Sequence, residues 1–144
     1  MARPTPQTRA AYPHHQPITT RWMDNDAYGH VNNVVYYSFF DTVVNTWLVR
    51  GGVLDIEASP VVGFVVETGC NYFSPLTYPE EVTAGLRVAH VGRSSVRYEI
   101  ALFGEGSDIA AAQGHFVHVY VDRKTQRPVE LPEKLRRAVE AIKG

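Results

Sequence analysis

Arg21-Trp22-Met23-Asp24-Asn25-Asp26-Ala27-Tyr28-Gly29-His30-Val31-Asn32-Asn33-Val34-Val35-Tyr36-Tyr37-Ser38-Phe39-Phe40 is the stretch whose reading decides the fold of this chain. Two carboxylates, Asp24 and Asp26, sit in a short polar loop. Gly29, His30, Asn32 and Asn33 follow. The sequence then turns apolar almost all round, through Val34, Val35, Tyr36, Tyr37, Phe39, Phe40, Val43, Val44, Trp47 and Leu48. A helix apolar on every side belongs inside a protein rather than on its surface. Its β-branched residues make it a poor isolated helix, so tertiary burial must stabilise it. The pattern predicts a helix over 31–49, with Asn32 or Asn33 as candidate N-cap. Gly51-Gly52 is the stop signal, and Arg50 in the last turn complements the helix dipole. A carboxylate aimed at the start of such a helix has chemical potential. The unpaired N–H groups there can hold a developing negative charge, and the carboxylate can act as base or nucleophile.

Outward from this helix the chain reads mostly as strands. Residues 16–22 are rich in β-formers (Ile18, Thr19, Thr20) and read as a first strand. Residues 61–66 are a continuous apolar run, typical of a strand covered on both faces. Pro75 and Pro79 mark a kink or turn within 71–79. Residues 81–91 alternate Val82, Ala84, Leu86 and Val88 against Thr83, Gly85 and Arg87. Residues 95–102 put Val96, Tyr98, Ile100 and Leu102 on one face. Residues 110–121 form the last long strand, with Phe116, His118 and Tyr120 opposite Val117, Val119 and Val121. Gly92-Arg93 and 104–106 turn the chain between these strands. Pro132 suits the first turn of a closing helix over 133–142 with a charged outer face. A run of strands around one helix predicts an α+β domain, an antiparallel sheet curled about that helix. Strands 81–91, 94–103 and 110–121 are close enough for a meander. Such a sheet leaves exposed edges, and edge-to-edge pairing in a dimer is one way to hide them.

With 144 residues, one domain is expected, large enough to bury a core without staples. The net charge of −1 gives no basic footprint for nucleic acid. No apolar run approaches a membrane span. The single cysteine, Cys70, excludes an intramolecular disulfide and reads as a small buried hydrophobe in a reducing, cytoplasmic setting. Residues 1–15 lack an apolar core segment and read as a flexible leader rather than a signal peptide, with the folded domain running over 16–144. His14 and His15 are adjacent, but no histidine and carboxylate have metal-ligand spacing, so no metal is expected. His115 and His118 read as satisfied strand residues.

The string Asp-x-Asp-x-x-Gly-His-Val-Asn-Asn at 24–33, followed by Tyr36 and Phe39-Phe40-Asp41, resembles the signature of hotdog-fold acyl-CoA thioesterases of the 4-hydroxybenzoyl-CoA thioesterase type. Two later segments resemble the family's strand turns: Tyr72-Phe73-Ser74-Pro75-Leu76-Thr77-Tyr78-Pro79-Glu80-Glu81-Val82 and Val91-Gly92-Arg93-Ser94-Ser95. The likeness runs over about residues 20–121. It implies a hotdog fold and hydrolysis of acyl-CoA thioesters to free acid and coenzyme A, without metal or organic cofactor. It implies that Asp26 is the catalytic carboxylate and that a backbone N–H near Asn33 polarises the thioester carbonyl. It also implies that Arg93-Ser94-Ser95 lies where the nucleotide end of coenzyme A binds. Sites between subunits, in a homodimer or homotetramer, come with the resemblance too. Some relatives use a glutamate on the central helix instead, and Asp41 and Glu67 are acids nearby in sequence.

Asp24 reads as structural, holding the loop or pairing with an arginine such as Arg21. His30 is open to a supporting catalytic role or a packing role. Tyr28, Asn32, Tyr36, Glu67 and Thr68 join the Arg93 turn as expected substrate contacts, while Phe39 and Phe40 are core by default. Coenzyme A thiolate leaves readily, so no general acid is essential, and no Gly-x-Ser-x-Gly elbow is present. Enoyl-thioester hydration would need a different motif. A non-catalytic acyl-CoA-binding module, or a thioesterase acting on acyl carrier protein, remains as an alternative.

Overall fold

Alternation of apolar and polar residues builds the sheet. In the computed structural model, which describes residues 4–144, five strands form one antiparallel sheet. They are β1 (His14–Ile18), β2 (Val61–Tyr72), β3 (Val82–Val91), β4 (Ser95–Phe103) and β5 (Ala112–Asp122), in the order β1-β3-β4-β5-β2. A long helix, α1 (Val35–Arg50), lies against one face, and a short one, α2 (Glu133–Ala141), closes the chain. The meander of β3, β4 and β5 is as the alternation predicts. Val82, Ala84, Leu86 and Val88 are fully buried, as are Val96, Tyr98, Ile100 and Leu102. They meet Tyr36, Phe39, Phe40, Val43, Val44 and Leu48 of α1 in one core. Gly114 on β5 makes the closest approach possible. A Cβ there would press into the Phe40 ring and come within 2.9 Å of the Gly69 carbonyl oxygen.

Five expectations change. The helix starts at Val35, not 31, with Val34 at the cap. Val31 is held instead in a bridge to Asn25, and its N–H donates to the Leu76 carbonyl. Asn32 still serves the helix start: its Oδ1 accepts the Val34 N–H at 3.2 Å and its carbonyl the Val35 N–H at 2.9 Å. Nor is α1 buried on every side, because Ser38, Asp41, Thr42, Val49 and Arg50 face outward.

The 61–66 run is half of a twelve-residue strand, and it is an edge. Phe64 is 58% exposed and Val66 54%, so the described residues do not cover both faces. A bulge between Val65 and Glu67 marks the middle of the strand.

At the other edge, β1 begins at His14, and residues 22–24 form a 3-10 turn rather than strand. The chain before it is packed, not loose. Gln7 bonds the Gln113 side chain, Thr8 bridges Ile109, and Tyr12 is buried against Gly85 and Phe103. With Ala101, Phe103 and Ala110, Tyr12 makes a small second core on the outer face of the sheet. Arg9 and Arg87 stack over the Phe103 and Tyr12 rings. The part of the expected leader at residues 1–3 lies outside the described residues.

Candidate active site

Asp24 anchors the loop that carries the motif. It is fully buried. Its Oδ2 accepts the Arg21 N–H at 2.7 Å, and its Oδ1 accepts the Arg21 guanidinium at 2.9 and 3.1 Å. The carbonyl of Asp24 accepts the Asn32 N–H. The neighbouring Asn25 side chain accepts the Tyr78 N–H at 3.0 Å. Arg21 is therefore the expected partner of Asp24, and both serve the loop's geometry.

Asp26 stands one turn further out and is half-buried. Its N–H donates to the His30 carbonyl, and its carbonyl accepts from Gly29, whose φ of +80° suits glycine at that turn. Its Oδ1 accepts the Tyr28 N–H at 2.8 Å and the His30 N–H at 3.4 Å. Among the described residues Oδ2 has no partner, so one oxygen positions the carboxyl and the other is open.

A groove of about 280 Å³ lies beside this loop, lined by His30, Asn33, Tyr36, Tyr72 and Ser74, among others. The Asn33 N–H donates to no described group, and its carbonyl accepts the Tyr72 hydroxyl at 2.8 Å. Tyr72 thereby fixes the residue before the helix. In the sequence Tyr72 reads only as part of a turn, with no task of its own. Burial raises the pKa of the Tyr36 and Tyr72 hydroxyls, and the Asp26 charge adds to the effect at Tyr36. Cys70, half-buried against the core, is pushed up to about 11 by burial, which keeps it a thiol and no nucleophile.

Asp26, His30, Asn32, Asn33 and Tyr36 thus come together at the start of α1. Tyr28 belongs to the same loop but is 86% exposed. The other expected contacts lie elsewhere. Glu67 sits on the outer face of β2, where its carboxylate meets the His115 ring at 2.8 Å and Arg97 at 3.8 Å. His115 is satisfied, as expected. Thr68 donates to the His115 carbonyl. Asp41 is on the exposed face of α1, bonded to Asn45. The turn 93–95 lies at the far end of the sheet. Tyr72 and Leu102 pair with Ala112, whereas Ser95 pairs with Val119. Along β5 those two positions are about 23 Å apart at the usual strand rise. Within one chain, then, the Arg93 turn and Asp26 do not share a site. The carbonyls of Arg93 and Ser94 accept from Leu131 and Tyr120 instead.

A family model described as the thioesterase-like superfamily matches residues 20–139. The chain belongs to that superfamily. The PA5185 protein from Pseudomonas aeruginosa is 54% identical, with 96% of this chain and 97% of that chain covered and a TM-score of 0.94. A thioesterase from Thermus thermophilus, solved with coenzyme A and zinc, is 30% identical over 93% and 97% of the two chains, with a TM-score of 0.76. The PA2801 protein from Pseudomonas aeruginosa is 28% identical over 89% and 98%, with a TM-score of 0.82. No curated protein sequence matches. The sheet wrapped on one long helix is the hotdog fold expected from the sequence.

In this superfamily member the described residues gather no three His, Cys, Asp or Glu side chains into a metal site. No described helix is long and apolar enough to cross a membrane. His118 departs from the sequence expectation. It is not a satisfied strand residue: it is buried, and neither ring nitrogen has a partner among the described residues. It faces a cavity of about 270 Å³ at the other end of α1. Alternation alone placed the ring inward but could not supply what it would touch there.

Proposed function

We propose that the protein hydrolyses acyl-CoA thioesters, with Asp26 as the catalytic carboxylate and the Asn33 N–H as a donor to the thioester oxygen. The observation that carries this reading is the pairing of an open carboxylate oxygen with an unpartnered N–H at the same end of α1. Asp26 Oδ2 takes a proton from water, and the resulting hydroxide attacks the thioester carbon. The negative charge that develops on the carbonyl oxygen is held by the Asn33 N–H. The tetrahedral species then collapses, the C–S bond breaks, and coenzyme A leaves as thiolate. Direct attack by the carboxylate, giving a mixed anhydride that water opens, uses the same groups. His30, in the groove wall, orients the thioester or the water.

The bare edge of β2 supports a homodimer. A twofold axis near Val66 would set residue 61 of one β2 beside residue 72 of the other. The Arg93 turn of one subunit would then lie towards the Asp26 end of its partner, in reach of the nucleotide of a shared coenzyme A. A location in the cytoplasm fits this substrate.

Free-thiol release from short, long and aromatic acyl-CoAs, with wild type and Asp26→Asn side by side, tests the reading. Turnover by wild type should fall about 10²-fold or more in Asp26→Asn, with folding and coenzyme A binding kept. An unchanged rate in Asp26→Asn, or an equal loss in Glu67→Gln with Asp26→Asn near wild type, would remove Asp26 from the mechanism.

A further inference from the structure

The cavity that His118 faces lies between the last turns of α1, the first residues of β2 and α2. Its walls are mainly apolar, with Leu48, Leu54, Val61 and Leu135 among them. Its volume of about 270 Å³ exceeds the roughly 150 Å³ in which an apolar cavity takes up benzene. Leu48 lies thirteen residues into α1 from Val35, so along the helix this space is about 20 Å from the groove at the start of α1.

Polar capacity in this wall is left over. A neutral imidazole has one N–H to give and one lone pair to fill. Among the described residues both ring nitrogens of His118 lack partners, although the residue is only 4% exposed. Nδ1 points past Gly63, where an added Cβ would sit 2.9 Å from it. Gly63 also lines the cavity, so no side chain stands at that position between the ring and the space. Beside it the Tyr98 and Tyr120 hydroxyls are 2.6 Å apart. Whichever of the two accepts in that bond still has its own hydrogen to place. Buried polar groups are nearly always paired, and one left without a protein partner calls for an explanation, a bound molecule among them.

We propose that this cavity is a binding site for an uncharged, carbon-rich group bearing one hydroxyl, and that His118 Nδ1 reads that hydroxyl. A hydroxyl both donates and accepts, so it serves either tautomer of the ring. The walls are mainly apolar, and the charged side chain among them, Arg123, already donates to the Ser59 and Ile56 carbonyls, so an uncharged group suits the space. Burial lowers the His118 pKa to about 4, which keeps the ring neutral near pH 7, so the ring itself adds no positive charge to the wall. The hydroxyl can belong to the far end of an acyl group seated across a subunit boundary, or to a separate small alcohol.

Benzyl alcohol and toluene are the matched probes, followed by the ring nitrogen resonances of His118 in the full-length wild-type protein. Benzyl alcohol should shift those resonances saturably, and toluene should leave them nearly unmoved. In His118→Leu the Kd of benzyl alcohol should weaken about tenfold, while that of toluene changes less than about twofold. Gly63→Ala, which covers Nδ1, should weaken benzyl alcohol in the same selective way. No shift with benzyl alcohol in wild type, or an equal change for both probes in the variants, overturns the proposal. The wild-type shift decides the matter even if His118→Leu does not fold. Binding is read without turnover, so it stands or falls separately from the role of Asp26. Where thioester turnover is measurable, competitive inhibition by benzyl alcohol assigns the site to the acyl group, and non-competitive or absent inhibition assigns it to a separate ligand.

Discussion

Asp24 and Asp26 stand two positions apart and end in opposite surroundings. Asp24 is fully buried and takes three bonds from Arg21. Replacing it with alanine leaves the Arg21 N–H and guanidinium without their acceptor and frees the loop that holds Asp26. Chemical denaturation of Asp24→Ala should show a loss of about 2 kcal/mol, the scale of charge-assisted bonds, together with lower activity. His118 supplies a pH signature. Its ordinary pKa of 6.5 falls to about 4 in the folded chain because burial penalises the charged ring. Between those values the unfolded chain binds a proton that the folded chain refuses. Stability is therefore complete above about pH 6.5 and is lost as the pH falls towards 4, by on the order of 3 kcal/mol in all. Thermal melts of wild type and His118→Leu from pH 7 to pH 4 should show the steeper decline in wild type. The roles of these residues were unequally legible. The acid, glycine and histidine spacing marked the loop, and the sequence offered Asp24 either a loop-holding role or an arginine partner such as Arg21. The isolation of His118 depends on what three other elements place around it, which strand alternation does not encode.

Among the elements, β3, β4 and β5 were the most legible, because each buries one face and alternates accordingly. Their tightest contact gives a sharp test. Gly114→Ala would drive a methyl group into Phe40 and towards the Gly69 carbonyl, so it should destabilise by about 1–3 kcal/mol, the range for overpacking, as read by a lower melting temperature. A change within about 0.5 kcal/mol would mean that β5 can move away from α1. The length of β2 and the outward face of α1 were less legible. Ser38, Asp41, Thr42 and Asn45 do recur at helical spacing, but the dense apolar residues around them hid a polar stripe. The run Val61–Val66 reads the same whether a strand is covered by its own chain or by another, and periodicity cannot tell these apart. The N-terminal segment misled for a different reason. Tyr12, Arg9 and Phe103 make their contacts on the outer sheet face, where no repeating pattern announces them.

At the scale of the whole molecule, the prediction concerns how many chains share a site. The Asp26 groove and the Arg93 turn lie at opposite ends of one sheet, and antiparallel pairing of two β2 edges would bring them together. Light scattering should therefore give twice the chain mass at micromolar concentration. Val66 would sit near the twofold axis and meet its own copy, so Val66→Lys would place two like charges side by side. That variant should run as a monomer and lose activity while keeping its secondary structure. A dimeric mass for Val66→Lys, or an active monomer, would remove the shared-site arrangement. The bare edge of β2 has another consequence, for synthesis rather than catalysis. Val61-Val62-Gly63-Phe64-Val65-Val66 is uncharged, free of proline and rich in β-formers, the composition of a self-templating amyloid segment. If β2 pairs with a second copy, each newly made chain would expose that template until the copy arrives. Slow or blocked pairing should then divert the protein into insoluble aggregates, and the proposed β2 contact would also guard against misassembly.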